Sequence, residues 1–101
     1  MSKNKNVKTH LFRLRRIRGF SQKRLAYLLG IRSTRAISDY ERGRRLPPIL
    51  IAMLMEIVLG TKFSEIYADL YQRLALEAVA REDRLPGPFI RHIRGRVLGK
   101  E

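Results

Sequence analysis

Residues 21–47 read SQKRLAYLLGIRSTRAISDYERGRRLP, and this stretch decides the fold. Its pattern predicts two short helices joined by a tight turn and followed by a basic loop. The first helix is expected over about Gln22–Leu29 and the second over about Thr34–Arg42. Ser21 offers a hydroxyl to an amide of the first turn, although Arg24 stands where a capping box would place Glu. Leu25, Ala26 and Leu29 recur at helical spacing and mark an inward face. Ala26 is small, as required where another helix crosses closely. Gly30 can end the first helix in the left-handed conformation, Ile31 plugs the corner, and Ser33 or Thr34 caps the second. Ile37 is that helix's inward residue, with Tyr40 and Glu41 one turn on. Gly43 ends it, and Pro47-Pro48 forbids helix before the next element. Two short helices crossing steeply leave the second protruding. A protruding helix that carries Ser, Thr, Arg and Asp among arginines fits a DNA major groove.

Working outward, Thr9–Arg18 reads as a preceding helix, with Thr9 as cap, Gly19 as stop, and Leu11, Leu14 and Ile17 as its inward stripe. Arg13, Arg16 and Arg18 read as a solvated face. Arg15 differs, because Glu41 is available as a partner that would hold this helix against the second of the pair. The net worth of such a half-buried pair is small, but removal of one member is costly.

The motifs LRRIRGFSQ (14–22), LAYLLGI (25–31), ISDYERGRRLP (37–47) and LG (59–60) occur in an order and spacing that resemble the XRE family, the phage-repressor-like, Cro/cI-type helix-turn-helix domains. The resemblance spans roughly residues 9–71. It implies an all-α fold: a compact five-helix domain, here with an extended C-terminal helix and a basic tail. It also implies that Gln22, Thr34, Arg35, Ser38 and Asp39 face DNA, and that Arg15 pairs with Glu41. The segment from Gly30 to Ile37 is one residue longer than the commonest family spacing, and Leu28 stands where the family usually has a polar residue.

The 101-residue chain has room for one small domain plus an extension, and a core this modest gains from a partner chain. There are no cysteines, which excludes disulfides and thiolate metal sites. No apolar run approaches a membrane span and no N-terminal stretch resembles a signal peptide, so a soluble, cytoplasmic protein is expected, nucleoid-associated when bound to DNA. The net charge of +13 is unevenly spread: +12 over residues 1–48, −3 over 49–83 and +4 over 84–101. That asymmetry is the electrostatic footprint of a nucleic-acid binder.

Residues 1–8 form a polar, basic arm, read either as a solvated tail or as an arm along phosphates or a minor groove. Ile49–Leu59 (ILIAMLMEIVL) has one charge, Glu56, and is apolar all round, so it needs cover on several sides. Leu50, Leu54 and Ile57 are expected to close the core, the remainder being covered by the C-terminal helix, a second subunit or both. The next helix is expected to start at Ser64 and run to about residue 82, with Phe63, Ile66, Tyr67, Leu70, Tyr71, Leu74 and Ala78 at helical spacing. It either folds back over Ile49–Leu59 or pairs with a second copy. Leu85-Pro86-Gly87-Pro88 reads as a linker. Beyond it lies a basic tail with loose helical spacing through Phe89, Ile90, Ile93 and Val97, weakened by Gly95. The domains expected are therefore the arm 1–8, a DNA-binding domain 9–83 and the tail 84–101.

Thr34, Arg35, Ser38 and Asp39 are the candidate base-reading residues. Arg35 ranks first, because its fork matches guanine O6 and N7. Asp39 would accept from cytosine or repel wrong registers; equally, it would be a helix-surface acid paired with Arg35 or Arg42. Gln22, Lys23, Arg32, Ser33, Arg42, Arg44 and Arg45 are candidate phosphate contacts, which position a module without specifying sequence. No phosphate loop, metal-ligand spacing or nucleophile–base motif is present, so neither an enzyme nor a cofactor is expected. A homodimer through the Ile49–Leu59 and Phe63–Glu82 helices is expected, and the family resemblance implies that it acts as a transcriptional regulator, a repressor. The alternatives are an antitoxin that represses its own operon and a coactivator-like interaction module of the same fold.

Overall fold

The computed structural model describes residues 6–87 and 91–99, which fold entirely as helices and connecting loops. They form α1 (Leu11–Ile17), α2 (Gln22–Leu28), α3 (Thr34–Glu41), α4 (Ile49–Leu59), α5 (Phe63–Ile66), α6 (Ala68–Arg84) and α7 (His92–Leu98). The chain divides into two compact units at Asp69/Leu70.

In the first unit Leu11, Leu25, Leu29, Ile37, Met55, Leu59, Ile66 and Tyr67 are fully buried. α2 packs on α3, α1 also meets α3, and α4 meets α5. The α2–α3 turn is built by local chemistry. The Ser21 hydroxyl accepts from the Arg24 amide at 3.0 Å, which starts α2. Gly30, at φ 72°, ends it. Its own amide donates to Tyr27 O at 3.1 Å and the Ile31 amide donates to Ala26 O at 2.8 Å, the pair of bonds of a Schellman cap. The Ser33 hydroxyl then accepts from the Arg35 amide at 3.0 Å. The longer turn is thereby accounted for: Ser33 is the cap and Thr34 is the first helical residue.

Several expectations are corrected. Ile17 does not face inward but is 65% exposed. A stripe read at three-residue steps drifts off a helix of 3.6 residues per turn, and Arg15 occupies the inward position instead. In α4 the inward residues are Met55 and Leu59, whereas Leu50 and Ile57 are exposed. A helix apolar on all sides carries no periodic signal for its own orientation.

Arg18 is not merely a solvated residue, since its Nε donates to the Leu59 carbonyl at 2.8 Å. It thereby satisfies an acceptor at the C-terminus of α4, where a cation is also favoured by the helix dipole. The single helix expected from Ser64 is broken at Tyr67 (φ −116°, ψ 56°) into α5 and α6. The break frees the Ile66 carbonyl to accept from the His10 amide at 2.9 Å and from the Thr9 hydroxyl at 3.3 Å. It also sinks Tyr67 into the core. The Tyr67 hydroxyl is buried without a hydrogen-bond partner among the described residues. Burial pushes its pKa up to about 12, with the neighbouring Thr9 hydroxyl acting in the opposite direction.

Of the expected N-terminal arm, residues 1–5 lie outside the described residues, as do Phe89 and Ile90 of the tail. In the second unit Val79 and Glu82 are buried on α6. The Glu82 carboxylate accepts from the amides of Ile93 at 3.1 Å and Arg94 at 2.9 Å, joining α7 to the end of α6. The Arg91 guanidinium donates to the Glu82 carbonyl at 2.6 Å, and Arg94 pairs with Asp83. The hydrogen bond from Arg94 holds the Asp83 carboxyl below its ordinary range.

Candidate nucleic-acid interface

One face of α3 carries every hydrophobic residue it buries. Ala36, Ile37 and Tyr40 turn into the core. Thr34, Arg35, Ser38 and Asp39 therefore share the opposite arc, since positions i, i+1, i+4 and i+5 fall within less than half a helical turn. Thr34 and Arg35 are exposed, while Ser38 and Asp39 are partly so. The Arg35 side chain makes no hydrogen bond or ion pair among the described residues, so its donors stay open.

The inner edge of α3 is tied to the rest of the unit by a polar network. Arg15 forms a two-point ion pair with Glu41: Nε meets Oε2, and Nη2 donates to Oε1 at 3.3 Å. The two side chains are only 8% and 5% exposed. Arg15 Nη1 also donates to the Phe20 carbonyl at 2.9 Å. Gln22 Nε2 donates to Glu41 Oε1 at 3.0 Å, so one carboxylate fastens α1, α2 and α3 together. This places the Gln22 side chain at the edge of α3, with one of the two hydrogens on its amide nitrogen used by Glu41.

The basic residues fall around this arc. Lys23 and Arg24 are exposed on α2, Arg32 lies exposed in the turn beside Ser33, and Arg42 is the exposed C-cap of α3. Gly43, at φ 72°, turns the chain back. The Arg44 amide donates to Asp39 O at 2.9 Å and the Gly43 amide to Tyr40 O at 3.1 Å. That reversal brings both following arginines over Asp39. Arg44 Nη1 lies 3.4 Å from Oδ1 and Arg45 Nε lies 3.6 Å from Oδ2. Asp39 is thus paired with Arg44 and Arg45, not with Arg35 or Arg42 as its alternative reading had it. The Arg45 guanidinium also sits 5.4 Å above the Tyr40 ring.

Two features of this surface escaped the sequence. The Val7 amide donates to the Gly43 carbonyl at 3.0 Å, and a Cβ on Gly43 would meet the Val7 backbone nitrogen at 2.7 Å. Val7 therefore lies beside the loop that follows α3. A Gly with positive φ signals a turn, but nothing local signals that a distant strand of chain lies against it. The second feature is Tyr27, 82% exposed, which with Ser21, Lys23 and Arg24 lines an open hollow of about 330 Å³ on the outer side of α2. Among the described residues no group of three or more His, Asp or Glu side chains could hold a metal ion. No helix of the described residues is long and apolar enough to cross a membrane.

The helix-turn-helix family model matches residues 11–66, more than half of the chain and the whole of α1–α5. Comparisons with curated proteins and with solved structures gave no significant match.

Proposed function

The chain belongs to the helix-turn-helix family, whose domains are non-catalytic DNA-binding modules, and from that premise we propose that it is a site-specific transcriptional repressor of the XRE, Cro/cI-like kind. α3 enters the major groove and reads base edges with Thr34, Arg35 and Ser38. Arg35 is the principal reader, gripping a guanine at O6 and N7. Gln22, Lys23, Arg32, Ser33, Arg42, Arg44 and Arg45 contact phosphates on either side and set the register. Residues 9–83 act as the DNA-binding domain, with 1–8 and 84–101 as basic extensions. The observation that carries this reading is the division of α3 into a buried apolar face and an open polar one, with Arg35 unpaired among the described residues at its first turn.

The repressor acts as a homodimer. Ile49, Leu50, Met53 and Ile57 are 55–75% exposed, and their spacing gathers them on one side of α4. Together they form an apolar patch of several hundred Å², the size at which exposed patches mark interaction sites. A second copy of the chain covers this patch, and segment 63–82 contributes further apolar area through Tyr71 and Leu74, which are 54% and 49% exposed. The two-fold axis then presents two copies of α3 to half-sites about 34 Å apart.

Selection of bound duplexes from a random pool tests the reading. An enriched sequence with two related half-sites one helical turn apart is the expected result. Equal retention of all duplexes, or preference for single-stranded RNA, would overturn it.

A further inference from the structure

We propose that Asp39 is a positioning residue for the phosphate clamp and not a reader of bases. This rests on the DNA-binding reading above and assigns a role within that surface. Two adjacent arginines in a loop repel one another and carry long, mobile side chains. Here one carboxylate lies between them and uses a separate oxygen for each: Oδ1 for Arg44 and Oδ2 for Arg45. The Asp39 side chain is 18% exposed, whereas those of Arg44 and Arg45 are 50% and 52% exposed. The acid therefore sits beneath the two guanidinium groups, and they face outward.

The backbone reinforces the arrangement. The amide of Arg44 is fixed to the carbonyl of Asp39 itself, Gly43 is held against Val7, and Tyr40 supports Arg45 from below. A guanidinium has five N–H donors. Arg44 turns Nη1 and Arg45 turns Nε toward the acid, so each keeps the other nitrogens for an incoming phosphate, which a guanidinium can grip at two points. An acid that was a base reader would have to present an oxygen outward to cytosine, whereas here each oxygen faces an arginine and the side chain is only 18% exposed.

The sign of one substitution separates the roles. D39N keeps the size of the side chain and removes a negative charge close to the DNA. Were Asp39 only a repulsive neighbour of phosphates, D39N would tighten binding and steepen its salt dependence. As a positioning residue, its loss frees Arg44 and Arg45 to wander. Affinity then falls about two- to fivefold, the range set by partly exposed ion pairs, equally on the selected site and on random duplex, and the salt dependence flattens. In an R44A/R45A background the D39N effect should vanish.

The experiment titrates full-length wild-type, D39N, R44A/R45A and triple-variant proteins against both duplexes at two salt concentrations. It also records nitrogen relaxation at the Arg45 Nε of the free proteins. Uniform weakening with a flatter salt slope, and a more mobile Arg45 in D39N, is the expected result. Tighter binding, or a changed preference at one base pair, overturns the positioning role. So does unaltered Arg45 mobility in D39N while wild type still binds its site. Failure of wild type to bind any duplex overturns the repressor reading itself, and the phosphate role of Asp39 with it.

Discussion

Loss of the Glu41 carboxylate should be the most damaging small change in the domain. Glu41→Ala strips three donors of their acceptor at once: two nitrogens of Arg15 and the amide of Gln22. The Arg15 side chain, 8% exposed, would keep the Phe20 carbonyl as acceptor and the face of the Phe12 ring, 5.2 Å away, but no counter-charge. An uncompensated buried charge of this kind costs about 3–5 kcal/mol. That is a large share of the total stability of a domain this size, about 5–10 kcal/mol. With a urea slope of about 1.5–2 kcal/mol per molar, the unfolding midpoint should fall by about 2 M.

The pair itself is worth much less than either single loss implies. The double variant Arg15→Met with Glu41→Leu removes both charges and leaves Gln22, which is partly exposed, to bond water. It should lose under about 2 kcal/mol, which is at least about 2 kcal/mol less than the summed losses of Arg15→Met and Glu41→Leu in a double-mutant cycle. Urea unfolding of wild type, Arg15→Met, Glu41→Leu and their double variant, with Glu41→Ala beside them and slopes compared to confirm two-state behaviour, reads this directly. A Glu41→Ala loss below about 1 kcal/mol, or additive single losses in the double variant, would refute the reasoning.

Ile57→Asp places a charge in the exposed stripe of α4. It should convert the proposed dimer to a monomer in sedimentation while leaving the helical circular dichroism intact, because Ile57 is 75% exposed. Gly43→Ala should destabilise by about 1–3 kcal/mol, since a side chain there combines positive φ with collision against Val7; thermal unfolding measures it. Tyr67 links stability to alkaline pH. Its pKa is raised on folding to about 12, so its contribution is complete below the ordinary value of 10.0 and is lost as pH rises through the folded value. Tyr67→Phe should abolish that part of the decline between pH 10 and 12. It should cost little at pH 7, because the hydroxyl has no partner among the described residues to lose.

The helices of the central pair were legible because their boundaries are set by neighbours in sequence. Ser21 and Ser33 bond amides two or three residues away, and Gly30 and Gly43 reverse the chain by bonds of the same short range. The outward placement of Thr34, Arg35, Ser38 and Asp39 was implied by the family resemblance, and helical period is consistent with it, since the four share one arc of α3. What stayed hidden depends on distant partners. The break at Tyr67 leaves the Ile66 carbonyl to His10 and Thr9, more than fifty residues away, so nothing near it in sequence signals it. The orientation of α4 had no periodic signal, and the Arg18 bond to Leu59 crosses 41 positions. Ile17 was misplaced because a charged residue, Arg15, took the inward site that hydrophobicity would assign elsewhere. The partners of Asp39 were missed because the turn at Gly43 brings i+5 and i+6 back over the helix, where only i+3 and i+4 would meet on a straight one.

The central claim is that the open face of α3 reads base sequence. Affinities of wild type and Arg35→Ala for the selected site, and for a panel in which each base pair is changed in turn, test it most directly. The expected result is a loss of about 1–3 kcal/mol on the selected site, together with disappearance of the wild-type preference at one base pair of each half-site. A loss of equal size on every duplex in the panel would make Arg35 a phosphate contact and contradict the claim.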